Sequence, residues 1–164
     1  MALSMEDTDK CVSYCRVFTE MGETMLTNII NHDPGPGGPD HFAMPIYDCV
    51  LMCCGHPDWE LPDLTFAMWY AISEELYHKD QDHLTAKFRP HIVQLINVLC
   101  RHCQMEPDCD GVLDDKDEFS LFRSRVVELI KDIVFIVGSK NVFSHMFDVL
   151  RQSNNANGDS RSGH

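Results

Sequence analysis

A helical pattern restarts three times along this chain, and each restart answers one amphipathic segment with a second. The paired segments are Cys11–Ile30 with Ile46–Cys54, Leu61–His78 with Leu84–Cys103, and Glu118–Val137 with Asn141–Arg151. The units start 50 and 57 residues apart, and removing two insertions brings them close to the ~40–47 residues of a HEAT-type repeat. The insertions are Asp33–Phe42 (DPGPGGPDHF) and Glu106–Asp117 (EPDCDGVLDDKD), rich in turn formers or charge. A helix pair cannot hide its apolar face alone, so neighbouring pairs must cover it. The expected fold is all-α, an α-solenoid of about three HEAT-type antiparallel helix pairs, an architecture that makes binding surfaces rather than active-site clefts.

The spacing of apolar residues carries this reading. Phe119, Phe122, Val126, Leu129, Ile130, Ile133 and Val137 step by three and four along one side of a 3.6-period helix, and Gly138 suits the left-handed position after it. Phe88, Ile92, Leu95, Leu99 and Cys103 repeat the pattern, although Pro90 predicts either a kink or a helix that starts near Arg89. Thr65, Trp69, Ile72 and Leu76 share a face behind Pro62 in a first turn, and Cys15, Phe18, Met25 and Ile29 share another, with Gly22 a point of close packing. No alternating β-branched run suggests a strand. The expected organisation is a polar lead over residues 1–9, a repeat segment over 10–152 divided at about 10–56, 57–105 and 117–152, and a polar tail over 153–164. Open apolar ends predict marginal stability or self-association.

Composition narrows the function. The chain has 26 acidic against 13 basic residues, a net charge of −13, which argues against the clustered Lys and Arg that nucleic-acid binding requires. MALSMEDTDK lacks the pattern of a secretory signal, and Ile133–Val137 is far too short to cross a bilayer, so a soluble protein with no membrane partner is expected. Eight cysteines without a signal peptide point to a reducing compartment and buried thiols.

The strings CRVFTEMGETML (15–26), CGHPDWELPDLTFAMWYAISEELY (54–77), RHCQMEPD (101–108) and FRSRVVELIKDIVFIVGS (122–139) together resemble the middle of receptors of the transportin-SR branch of the importin-β superfamily. The resemblance covers most of Lys10–Gln152. It implies a central fragment of a superhelical nuclear import receptor that carries serine/arginine-rich splicing factors, binds cargo and Ran-GTP, and shuttles between cytoplasm and nucleus, with nucleoporins as further partners. A helical adaptor or truncated decoy without transport activity is the alternative.

The segment Glu106, Asp108, Asp110, Asp114, Asp115, Asp117 and Glu118 is the candidate partner-binding site, where carboxylates would meet a basic surface of Ran or an arginine-rich cargo. A solvated linker is the competing reading. The segment lacks the D-x-D-x-D-G spacing of a calcium loop. Cys100, His102, Cys103 and Cys109, like Cys53, Cys54 and His56, lack a second C-x-x-C pair to complete a zinc site, so no metal or cofactor is expected. No phosphate loop, nucleophile elbow or metalloprotease motif occurs, which argues against an enzyme. Trp59, Phe66, Trp69 and Tyr70 read as packing residues. Arg123 and Arg125 read as a solvated helix face.

Overall fold

The computed structural model describes residues 5–104 and 113–138. Among these, six helices and no strand are present: α1 (Met5–Asn31), α2 (Pro45–Cys54), α3 (Glu60–Asp63), α4 (Phe66–Lys79), α5 (Asp82–Gln104) and α6 (Leu113–Val137). The expected partner helix Asn141–Arg151 and the tail 153–164 lie outside the described residues.

Specific contacts fix the relative directions of the helices. The Tyr47 hydroxyl of α2 donates to the Gly22 carbonyl of α1, at 3.0 Å, and Cys53 of α2 interacts with Cys15 further back along α1. The two helices are therefore antiparallel. Arg89 Nε donates to the Ile136 carbonyl while His102 stacks edge-on against Phe122, so α5 and α6 are antiparallel as well. Phe66 lies against Phe122 and Ser73 donates to the Asp132 carbonyl at 3.0 Å, which sets α4 parallel to α6. His91 pairs with Asp48 and His102 bonds the Cys54 carbonyl, which sets α5 parallel to α2. The result is two layers, α1, α4 and α6 in one and α2 and α5 in the other, parallel within a layer and antiparallel between layers. This is the α-solenoid arrangement.

The core lies between the layers. Trp69, Tyr47, Phe88, Phe122, Ile29, Ile72, Ile92 and Leu99 are fully buried, each contributing about 1.5–3 kcal/mol of apolar transfer. On α1 the buried face runs through Cys15, Thr19, Gly22, Leu26 and Ile29. Gly22 is a close-packing point: a Cβ there would stand 2.5 Å from Met68 Sδ and 3.2 Å from Tyr47 Cε1.

Four elements differ from the sequence pattern. Leu61–His78 is two helices, because the chain turns at Leu64 and Thr65. The Thr65 hydroxyl donates to the Pro62 carbonyl at 2.7 Å and accepts from Trp69 Nε1 at 3.0 Å, which holds the turn closed and leaves Thr65 fully buried. Helix α5 does not start late: it runs from Asp82 through Pro90. Anchors on both sides of the proline, Arg89 to Ile136 and His91 to Asp48, together with fully buried Phe88 and Ile92, outweigh the missing amide. Helix α6 starts at Leu113 rather than Glu118, and α1 starts at Met5 rather than Cys11. Asp7 and Asp9 lie near the start of α1, where negative charge complements the helix dipole. Gly138 has φ +87° and its amide donates to the Val134 carbonyl, as the left-handed stop requires.

Candidate functional site

The acidic segment is divided by the fold. Glu106, Asp108 and Asp110 lie outside the described residues, while Asp114, Asp115, Asp117 and Glu118 are helical, within the opening turns of α6. Glu118 is exposed, and it meets a second group of carboxylates that the sequence reading passed over. These are Asp58, Glu60 and Asp63, contributed by α3 and the turn before it. Asp58 Oδ1 accepts from the Glu60 amide at 2.9 Å, which fixes the start of α3. Burial pushes the Glu60 carboxyl up from its ordinary value, and the charges of Asp58, Glu118 and Asp63 add to the rise.

A shallow cleft of about 380 Å³ runs between these elements, lined by Trp59, Glu60, Asp63, Leu64, Glu118, Leu121 and Arg125. Trp59 is half-buried and packs against Phe119 and Phe122. Leu121 is 58% exposed. Arg125 binds Asp63 through two bonds, Nε to Oδ1 at 2.8 Å and Nη2 to Oδ2 at 3.0 Å. Asp63 is thus neutralised, and Glu60 and Glu118 remain beside an aromatic wall. That chemistry accepts a guanidinium or ammonium group, with carboxylates for charge and an indole for stacking.

The other candidates resolve as structure. Trp69 and Phe66 are buried, and Tyr70 is half-buried against the core. Arg123 sits 5.8 Å from the Phe119 ring centroid on an exposed face. His102 is buried, and its Nε2 donates to the Cys54 carbonyl at 2.8 Å, so it is committed to the α2–α5 contact. Cys109 lies outside the described residues. Among the described residues no three His, Cys, Asp or Glu side chains converge to hold a metal ion. Burial raises the thiols of Cys15, Cys100 and Cys103, pushes Cys54 up to about 11, and pushes Cys53 up to about 12 with the help of Cys15 and Cys11. Such thiols stay protonated and are poor nucleophiles. No described helix is long and apolar enough to cross a membrane.

Residues 6–102 match the family described as the Transportin-3/Importin-13 second TPR domain. The chain belongs to the transportin-3/importin-13 family. Its repeats are called TPR in that description, and the two-layer stacking of helix pairs described above is common to TPR and HEAT solenoids. This transportin-3/importin-13 chain is also similar to the mRNA transport regulator MTR10 of Saccharomyces cerevisiae, 23% identical over 138 residues that cover 84% of the chain and 14% of the yeast protein. Against Transportin MOS14 of Arabidopsis thaliana it is 20% identical over 171 positions, covering 95% of the chain and 17% of the plant protein. The chain therefore spans less than a fifth of the length of these relatives. The transportin-3/importin-13 family consists of nuclear transport receptors of the importin-β type, not enzymes.

Proposed function

We propose that the chain acts as a partner-binding segment of a nuclear import receptor, one that carries serine/arginine-rich splicing factors, responds to Ran-GTP and shuttles between cytoplasm and nucleus. Family membership supports the transport role. The observation that carries the partner chemistry is the convergence of Glu60 and Glu118 beside Trp59, at the end of the solenoid where Asp114, Asp115 and Asp117 open α6. Glu106, Asp108 and Asp110 precede that helix in sequence and extend the same acidic run. An arginine-rich segment lying over this end meets several carboxylates and an indole face, and long-range attraction raises its rate of encounter.

Fluorescence anisotropy with a labelled arginine/serine repeat peptide tests the reading, with GTP-bound Ran titrated in parallel. Binding should weaken steeply as salt rises from 50 to 300 mM, roughly spanning a fall in Debye length from ~14 to ~6 Å. Neutralising Asp114, Asp115, Asp117 and Glu118 together should weaken affinity and flatten that dependence. Equal affinity for the neutralised protein and the parent, for both ligands, would refute the assignment.

A further inference from the structure

The exposed side of the seam between α4 and α6 holds a second cleft, of about 500 Å³, whose lining includes Tyr70, Glu74, Tyr77, Lys131, Asp132 and Phe135. Its walls are aromatic. Tyr77 is 72% and Phe135 40% exposed, and their rings meet edge-on with centroids 6.0 Å apart. The charge around those rings selects the partner. Glu74, Glu128 and Asp132 are exposed carboxylates on the two helices, and Lys131 is bonded to Glu128 at 2.7 Å, so its charge is matched. The exposed His78 ring stands 3.7 Å from Glu74, a longer contact than the fork of a guanidinium would make. Burial raises the Tyr70 hydroxyl, and the charges of Asp132 and Glu128 add to the rise, which places both carboxylates within electrostatic reach of the cleft. Rings under negative potential draw a guanidinium, which stacks on a ring face and bonds a carboxylate. An uncharged apolar side chain would instead desolvate the carboxylates and leave them without a partner.

This cleft and the one beside Trp59 lie on one line. On α6, Glu118, Leu121, Arg125, Glu128, Asp132 and Phe135 step by three and four along one face. The first three line the Trp59 cleft, and the last two line the Tyr77 cleft. Across the seam Asp63 binds Arg125, Ser73 bonds the Asp132 carbonyl and Tyr77 meets Phe135, so α3 and α4 follow the same line. Arg125 stands between the clefts, but its two bonds to Asp63 neutralise it. Leu121 and Asp132 are about three helical turns apart, roughly 16 Å. An extended peptide covers that distance in about five residues.

We propose that the α4–α6 seam is a track for one extended arginine-rich segment, with one arginine at Glu60, Glu118 and Trp59 and another, about five residues along, at Tyr77, Phe135 and Asp132. The proposal rests on the reading of the acidic end given above and adds to it a second contact and a minimum length. A segment shorter than about six residues reaches one cleft at a time. A longer one engages both, and the second contact forms at a high effective concentration.

The test titrates labelled arginine/serine repeats of four and eight residues, by fluorescence anisotropy at low salt, against the full chain and two variants of it. Tyr77→Ala/Phe135→Ala removes the rings, and Glu74→Gln/Asp132→Asn removes the charge while keeping the shape of the surface. Each variant should weaken the eight-residue repeat by about fivefold or more. The four-residue repeat should lose no more than about twofold, because it sits in either cleft alone. The charge variant guards against a fold effect of removing Phe135. Affinity equal to the parent's in both variants overturns the track, and if Glu60→Gln still weakens the eight-residue repeat the acidic end stands without it. Equal losses for the two lengths also overturn the track, since charge would then act without a line of contact. So does equal binding of an eight-residue repeat with citrulline in place of arginine, because the occupant would then be uncharged. A parent chain that binds neither repeat removes both the track and the reading on which it rests.

Discussion

Replacing Gly22 by alanine puts a single methyl group at a close inter-helix contact. The new Cβ would lie 2.5 Å from Met68 Sδ and 3.2 Å from Tyr47 Cε1, and both neighbours are fully buried. Neither can swing into solvent. Overpacking of this kind costs about 1–3 kcal/mol. Displacing the Tyr47 ring also threatens its hydrogen bond to the Gly22 carbonyl, worth about 1 kcal/mol. Against this stands the helix preference of alanine over glycine, about 1 kcal/mol. The net expectation is a loss of about 1–2 kcal/mol, or a fall in melting temperature of about 2–8 °C for a chain of this size. Urea titration followed by far-ultraviolet circular dichroism measures it, with the slope checked for constancy.

A double-mutant cycle isolates the cause. Met68→Ala alone opens a cavity and should cost about 2–5 kcal/mol. In that background Gly22→Ala fills part of the space and should turn neutral or stabilising, a coupling of about 1 kcal/mol or more. If Gly22→Ala instead stabilises the parent protein by about 1 kcal/mol, helix propensity alone governs the site and the close approach of α1 to α4 and Tyr47 is wrong.

Thr65→Val removes the acceptor for Trp69 Nε1 and the donor to the Pro62 carbonyl, and should cost about 1–3 kcal/mol by leaving a buried N–H unmatched, with Thr65→Ser retaining most of the stability. Pro90→Ala restores an amide in the middle of α5 and should raise stability by about 1–2 kcal/mol in the same urea assay, less than the full helix penalty because the unfolded chain also gains freedom. The Cys54 thiol is raised in the folded state from 9.0 to about 11, so its contribution is intact below pH 9.0 and is lost as pH climbs towards 11; Cys54→Val should flatten that part of the stability–pH profile. Arg125→Ala breaks a half-exposed bidentate pair with Asp63 and should cost no more than about 1 kcal/mol, an effect that shrinks in high salt.

The sequence announces the repeats because each helix must bury one side, and that side recurs every three or four residues. Trp69, Ile72 and Leu76 or Phe88, Ile92 and Leu99 could be placed from spacing alone, and all are buried. The break at Thr65 could not. Its pattern runs unbroken from Leu61 to Leu76, and the turn is made by a hydroxyl that bonds Pro62 and Trp69 while it also meets the Cys54 thiol of α2. Pro90 leaves two readings for the opposite reason: the local rule allows either a kink or a late start, and tertiary anchors from α2 and α6 remove the late start. The acidic end was half legible. The run through Asp114, Asp115 and Asp117 is a feature of composition, but Glu60 and Glu118 meet only because α3 and α6 converge. No spacing rule relates residues so far apart in sequence.

The solenoid spends its apolar residues and its cysteines on stacking, which leaves chemistry to the helix ends. At one such end Glu60 is held near Asp58, Glu118 and Asp63, and Arg125 is ion-paired with Asp63. Like charges so gathered oppose folding slightly and favour a cation strongly. Glu60→Gln should therefore act with opposite signs in two assays: the unfolding midpoint should stay level or rise, while affinity for an arginine-rich peptide falls. A residue that merely solvates the surface would move neither, and one that supports the fold would lower the midpoint and leave the affinity alone. Only a carboxylate kept in place against local repulsion for the sake of a basic partner yields the divergent pair, and either of the other two patterns would remove Glu60 from the binding surface.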